Sequence, residues 1–355
     1  MLSMLPDILK IFIPTIFAFF FGLAITPTAT YFFYKHKMWK KKVRTLNTIS
    51  PEFELVHKDK EEREVSVPCV GGIIVSLSVI ITTLFFSFLP SIFPNEIFSE
   101  LNFLSRSQTF IPLGLFFLGS LLGLLDDFLE ISGKSYITRN SPWYTKSKIF
   151  AVVLFGILSG VWFFTKLDMH AIHIPFDGMW ELGIFFIPLV IVVTLGTFSS
   201  GVIDGIDGLS GGVFASVFGA YSMIAFTDNQ IDLSVFCAVI TGATLAFLWF
   251  NIPPARFYMG EVGIMPLTAT LAAVAFLSDT VLLLPIIALP LTLTSLSSTI
   301  QLSSKKFFGR RVFKVAPLHH HFEALGWPSQ KVTMRYWVFS VMFAIIGIIL
   351  VIISR

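Results

Sequence analysis

Ten stretches of about twenty apolar residues, the length that crosses a bilayer, lie near 8–34, 70–89, 110–129, 147–165, 181–200, 208–227, 232–250, 263–280, 281–303 and 335–354. Once in lipid, such a segment can satisfy its own backbone only as a helix. The pattern predicts an all-α integral membrane protein of about ten transmembrane helices, one polytopic domain over 1–355. Composition agrees: 13% of residues are charged, against about 25% in soluble domains. No nucleic-acid partner is expected. The first run has little basic charge and no A-x-A-like site after it, so it reads as a retained span and not a signal peptide. Cys69 and Cys237 stand far apart, outside any CxxC spacing, and read as buried thiols. Only "SDT" (278–280) separates the eighth and ninth spans, and Pro285 and Pro290 predict a kink or break in the ninth.

Lysine and arginine are retained on the cytoplasmic side of a membrane. The loops after spans one, three, seven and nine hold 21 of the chain's 25 basic residues. Ten spans with both termini on the outer side follow. On that outer face, "KLDMHAIHIPFDGMWEL" alternates around His170 and His173, and "PFDG" supplies a turn. It predicts a short extracytoplasmic hairpin, its histidines in a surface loop.

The concentrated acids all fall at the opposite, cytoplasmic ends. "LLGLLDDFLE" closes the third span with Asp126 and Asp127, and "VIDGIDGLSGG" carries Asp204 and Asp207 between spans five and six. Glu261 lies in "FYMGEVG" before span eight, Lys148 begins span four, and His319, His320 and His321 precede span ten. "DGIDG" alone is a turn signal and lacks the spacing of an EF-hand loop. Gathered on one face, however, carboxylates repel unless cations neutralise them. An oxygen-rich set suits Mg²⁺ completed by substrate phosphates, and glycines let backbone N–H groups approach phosphate. The substrates expected are a water-soluble phosphate compound and a membrane lipid.

"LGLLDD", "DGIDGLSGG", "NIPPARFYMGEVG" and above all "RRVFKVAPLHHHFEALGWPSQKVTMRYW" resemble the phospho-N-acetylmuramoyl-pentapeptide transferase family. That family belongs to the polyprenyl-phosphate N-acetylhexosamine-1-phosphate transferases. The likeness extends over nearly the whole chain, and "APLHHHFE" followed by "GW" is specific to the muramoyl-pentapeptide branch. It implies a Mg²⁺-dependent enzyme of the bacterial inner membrane, with its active site on the cytoplasmic face. Undecaprenyl phosphate would attack the β-phosphorus of UDP-N-acetylmuramoyl-pentapeptide, giving UMP and lipid I for peptidoglycan. By the same resemblance Asp126 would deprotonate or orient the lipid phosphate beside Asp127, and Asp126, Asp204 and Glu261 would hold the metal. Gly205, Ile206 and Asp207 would lie near the uridine, Tyr258 would stack on uracil, and Lys148 and Asn251 match further binding positions. His320 and His321 would line the nucleotide-sugar site with His319 beside them, and a homodimer is implied.

Several positions depart from the family pattern. Glu261 replaces the aspartate of "MGD", and Phe198 and Gly201 replace two asparagines, removing polar support expected beside Asp204. Glu130 stands for the lysine of DDxxK, and Val152 for a glutamine. Glu64 stands for another lysine, with Arg63 adjacent. A glutamate in place of a cation near a diphosphate is expected to cost on the order of 1–4 kcal/mol. Two alternatives follow: a homologue that binds polyprenyl phosphate or a nucleotide sugar without efficient transfer, and a transferase using another UDP-sugar. A secondary transporter would place its acids near the bilayer midplane in repeated halves; no repeat is present.

Overall fold

The structure, a computed structural model, describes residues 5–41, 65–133 and 142–355. It is helical almost throughout. In chain order the first helices are α1 (Leu5–Lys35), α2 (Ile73–Ile92), the short α3 (Glu96–Glu100), α4 (Phe110–Ile131) and α5 (Pro142–Lys166). A two-stranded hairpin, β1 (Ala171–Ile174) and β2 (Gly178–Glu181), then leads into α6 (Phe186–Ser199). After it come α7 (Leu209–Thr227), α8 (Ile231–Asn251), α9 (Glu261–Leu277), α10 (Leu284–Ile287), α11 (Leu289–Phe308), α12 (Leu318–Ala324) and α13 (Ser329–Ser354). Among the described residues eight helices are long and apolar enough to cross a membrane. The two remaining expected spans are α9, which has 17 residues, and the pair α10–α11.

The hairpin pairs antiparallel from Ala171 with Glu181 to Ile174 with Gly178. "SDT" is a turn, as expected, with Asp279 at φ +51°. The ninth span is broken at Ala288. Its prolines do not bend a continuous helix. Pro285 and Pro290 each occupy the first turn of a separate helix, where the missing N–H has no partner to lose.

α9 is the centre of the bundle. Every residue from Val262 to Leu277 is buried, which accounts for a helix that is apolar all round. At 1.5 Å per residue it extends about 25 Å, short of a hydrocarbon core of about 30 Å. The closest neighbour is α4, which presents Gly119 and Gly123 in "GSLLG" to the α9 backbone. A Cβ on Gly119 would lie 2.8 Å from Pro266 Cα, and one on Gly123 2.2 Å from the Glu261 carbonyl oxygen. This is the small-xxx-small contact through which membrane helices pack without a hydrophobic drive between them.

Alternation of the helices brings together the end of α4, the starts of α5, α7 and α9, the end of α8, and α12. Two side chains secure the last of these. Gln301 of α11 accepts from the Val312 and Phe313 N–H groups, both at 3.0 Å, and Ser297 accepts from Leu318 N–H at 2.9 Å. The opposite end is closed by ion pairs of Lys10 with Asp232 and of Arg355 with Asp228.

The α4–α9 contact makes Gly123→Ala a severe change for one methyl group, because it meets main chain that cannot rotate away. Overpacking typically costs about 1–3 kcal/mol. Purified Gly123→Ala protein should unfold at a clearly lower temperature than wild type in the same detergent. Ala at Gly114, whose added Cβ would meet nothing within 4 Å, should leave the transition nearly unchanged.

Candidate active site

Asp127, at the end of α4, is almost wholly buried, which for an acid demands partners. It has them in the first turn of α9. Its two oxygens accept from the Glu261 and Val262 N–H groups, each at 3.0 Å. Those N–H groups begin a helix and have no partner within it, and the positive helix end favours the carboxylate. Gly260, just before them, adopts φ +68°, and a Cβ there would lie 1.9 Å from the Cys69 carbonyl oxygen. Only glycine fits. Cys69 is an inert thiol, as expected: burial first, then the charge of Asp127, pushes its pKa up to about 12.

Asp126, the neighbouring acid, faces α5. Lys148 donates to its carboxylate at 2.7 Å and to that of Glu261 at 2.9 Å, so one ammonium joins the two acids. The Tyr144 hydroxyl also donates to Asp126. The adjacent aspartates thus have different work: Asp127 is committed to backbone, whereas Asp126 faces exchangeable cationic and phenolic groups.

The 204–208 turn between α6 and α7 supplies the third acid. Asp204 accepts from the Ser210 hydroxyl at 2.7 Å and from Gly260 N–H at 3.3 Å. Burial pushes its carboxyl up to about 6, against the lowering effect of those two bonds and of the Lys40 charge, while Glu261 adds like-charge repulsion. Asp207 turns the other way and accepts from Ala255 N–H at 3.0 Å. Asn251 is buried, accepting from Gly208 N–H at 3.0 Å and donating to the Phe257 carbonyl at 2.8 Å. Asp207 and Asn251 hold two loops together, and the Ile206 side chain is buried. Tyr258 is partly buried, its backbone paired with Pro68 and Gly71.

Of the three expected histidines, two reach this turn. An added Cβ on Gly205 would lie 2.6 Å from His319 Nε2 and 2.8 Å from His320 Nε2, so the bare backbone rests on both rings. The Nδ1 atom of His320 is 2.6 Å from Glu323, which also accepts from the Ser329 hydroxyl. His321 is placed differently from expectation. Its Nδ1 accepts from Lys314 N–H at 3.2 Å, and its ring packs against Phe313. One helical step of about 100° turns it from the face that His320 presents. Burial and the nearby Lys314 both lower its pKa.

Two departures from the family pattern acquire physical explanations here. Glu130 was expected to repel an anionic substrate; it instead pairs with Lys40 at 3.5 Å, so its charge is offset. Gly201 was expected to deprive Asp204 of support, but Ser210 and Gly260 provide it. A side chain at 201 would begin 2.6 Å from Ile264 Cγ2, so α9 fills that space. Val152 and Phe198 line an apolar crevice with Leu122 and Met265, and Lys148 borders it. Glu64 and Arg63 lie outside the described residues.

Lys40, Tyr144, Ser210 and Glu323 complete this site and were not singled out from the sequence. Ser210 and Glu323 lie inside quoted motifs and were within reach. Lys40 and Tyr144 carry no local signal, since their partners are distant in sequence or a helix away. The assembled site gathers Asp126, Asp127, Asp204 and Glu261, with Asp126 and Glu261 sharing the Lys148 ammonium, beside backbone bared by glycine. Such a surface attracts further cations and, through them, phosphate.

Comparison with known proteins bears on what uses this chemistry. The glycosyl transferase family 4 model matches residues 109–279, which include all four of these acids. The chain is 33% identical to a phospho-N-acetylmuramoyl-pentapeptide-transferase of Geobacillus thermodenitrificans, covering 81% of this chain and 84% of the relative. It is 32% identical to the protein of that name from Chloroflexus aggregans, over 95% and 88% of the two chains. Against that of Bacillus cytotoxicus it is 33% identical over 93% and 94%.

The raised pKa of Asp204 has a testable consequence in metal-free protein. Because the folded form holds this proton up to about pH 6 and an unfolded aspartate releases it near 3.9, folding binds protons between those values. Stability from this group is therefore full at the acid end, falls as pH rises through the window, and is level above it. Asp204→Asn removes the titration. Its unfolding temperature relative to wild type should shift in the variant's favour from pH 4 to pH 6.5 and then stay constant.

Proposed function

The chain belongs to the phospho-N-acetylmuramoyl-pentapeptide-transferases, and on that premise we propose that it transfers phospho-N-acetylmuramoyl-pentapeptide from its UDP derivative to undecaprenyl phosphate. The products are lipid I and UMP, in peptidoglycan synthesis. An oxygen of the lipid phosphate forms a bond to the β-phosphorus, and the bond from that phosphorus to the bridging oxygen breaks, so UMP leaves with the bridging oxygen. Positioning and charge stabilisation supply most of such a reaction. The observation that carries this reading is the junction of Asp126 and Glu261 through Lys148, from three helices, beside Asp204.

Asp126 orients the lipid phosphate and accepts its proton when it arrives protonated. The hydroxyl of Tyr144 and the ammonium of Lys148 keep that carboxylate directed into the site. Lys148 also offsets charge as the diphosphate enters. His319 and His320 support the bare backbone at Gly205, against which the nucleotide-sugar lies, and Tyr258 offers its ring to uracil. Asp127 keeps α9 in place through the Glu261 and Val262 N–H groups, beside Asp126. The excess of lysine and arginine at this end supports a cytoplasmic orientation, and the bacterial relatives support the inner membrane as its location.

A magnesium ion would be held by Asp126, Glu261 and Asp204. The donor set is all oxygen, and Asp126 and Glu261 already share one cationic group. Among the described residues no three of histidine, cysteine, aspartate and glutamate form a ready-made cage. The three carboxylates do not converge as they stand, so they would close on the ion only together with water and substrate phosphate. When bound it would neutralise the diphosphate.

The test is UMP release from UDP-N-acetylmuramoyl-pentapeptide by purified protein, with polyprenyl phosphate and Mg²⁺ supplied or withheld. Release requiring both is the expected result; release from neither condition by folded protein would sink the reading. Asp126→Asn should lose about a hundredfold or more in rate while keeping its unfolding temperature. Glu261→Asp, one methylene shorter, should lower the rate by withdrawing from Lys148; a faster variant would mean that glutamate impairs the site.

A further inference from the structure

We propose that Lys40 is a phosphate-binding residue of this site, its ammonium carried to the end of α4 by Glu130. The inference rests on the functional reading above and adds a residue to it. Lys40 lies in the short turn that follows α1, whose position is set by backbone and not by its own side chain. Met38 N–H bonds back to the Phe33 carbonyl at 2.9 Å, and Cys69 N–H bonds to the Met38 carbonyl at 3.0 Å. The segment containing Cys69 is tied in turn to the irregular stretch that leads into α9. Tyr258 N–H bonds to Pro68, Gly71 N–H to Tyr258, and Gly72 N–H to Met259, each at 2.8 Å. The Lys40 turn is thus connected by main chain to Gly260, whose N–H reaches Asp204.

Helix geometry puts the ion pair on the acid face. Glu130 follows Asp126 by four residues and Asp127 by three, and residues so spaced are neighbours on one side of a helix. The Lys40 ammonium, 3.5 Å from Glu130, therefore lies over the side of α4 from which the two aspartates project.

Stability is a poor explanation for this pair. Both side chains are mostly withdrawn from water, 18% and 15% exposed, and they meet at a loose 3.5 Å. Desolvation of such a pair consumes most of what its attraction returns. An ammonium carries three N–H donors, and one loose carboxylate contact leaves capacity for another anion. The site needs that capacity. Lys148 is engaged by Asp126 and Glu261, while an incoming phosphate meets the carboxylates of Asp126, Asp204 and Glu261. Lys40 supplies positive charge on the flank that Lys148 does not reach, and Glu130 holds the flexible stem there. The sign reversal at 130 therefore moves the cation to another segment without removing it.

Lys40→Met keeps the stem and removes the charge. Binding is read by competition with UDP and with uridine, which differ only in the phosphates, and by the KM for undecaprenyl phosphate. UDP affinity should fall at least about tenfold with uridine affinity unchanged if Lys40 meets the nucleotide diphosphate. If it meets the lipid phosphate, the KM for undecaprenyl phosphate rises instead and both nucleoside probes are unaffected. Either result supports a phosphate role. Equal loss of UDP and uridine, or no change on any arm, overturns it. The charge swap Lys40→Glu with Glu130→Lys guards against a misfolded single variant. A swapped protein that melts like wild type should recover most of the phosphate affinity, and one that stays as weak as Lys40→Met counts against the proposal. Wild-type protein that binds neither UDP nor undecaprenyl phosphate would defeat the transferase reading itself; wild-type binding indifferent to Lys40→Met would defeat only this proposal.

Discussion

The bonds from Asp127 to the first turn of α9 are the constraint on which the remainder of the site depends. A buried carboxylate with no partner would be costly, and so would two buried N–H groups at a helix start. Each cancels the cost of the other. The arrangement works only because Gly119 and Gly123 let α4 lie against α9, and because Gly260 turns the chain where a side chain would strike Cys69. From this one junction the positions of Glu261, Gly260 and Asp126 follow, and through Gly260 that of Asp204.

Around the junction, charge is distributed by giving each acid its own set of partners. Asp127 takes backbone, Asp126 takes lysine and tyrosine, Asp204 takes a serine hydroxyl and a glycine N–H, and Asp207 closes a loop. Adjacent aspartates can then coexist because each is held by its own partners. It also explains how this chain carries glutamates at 130 and 261 where its family pattern has a lysine and an aspartate. Glu261 has the reach to share Lys148 with Asp126, and Glu130 is matched by Lys40. The substitutions are accommodated as a set, through partners that lie on other helices.

The histidine segment shows the same dependence on neighbours. Ser297 and Gln301 fold the 312–318 stretch back along α11, and α12 then directs His319 and His320 at Gly205. The break at Ala288 leaves α11 as a separate helix. Polar side chains along α11, unusual for a membrane segment, are used to bind this loop and to contact α6 through Ser199 and Ser295.

What the sequence determined by itself was whatever depends on local pattern. Apolar length located the helices, "SDT" separated the eighth span from the ninth, the prolines foreshadowed the break in the ninth, and the alternation around "PFDG" decided the hairpin. Motifs also named the acids, Lys148 and the histidines that meet at one end. Tertiary structure decided the partners. It separated Asp126 from Asp127, turned His321 away from its neighbours, gave Asn251 and Asp207 to loop closure, and brought Lys40 to Glu130 across ninety residues. The physical reason is range. Hydropathy and turn preference act over a few residues and are written in consecutive letters, whereas a hydrogen bond or an ion pair acts over about 3–4 Å of space, between groups whose separation along the chain carries no trace of it.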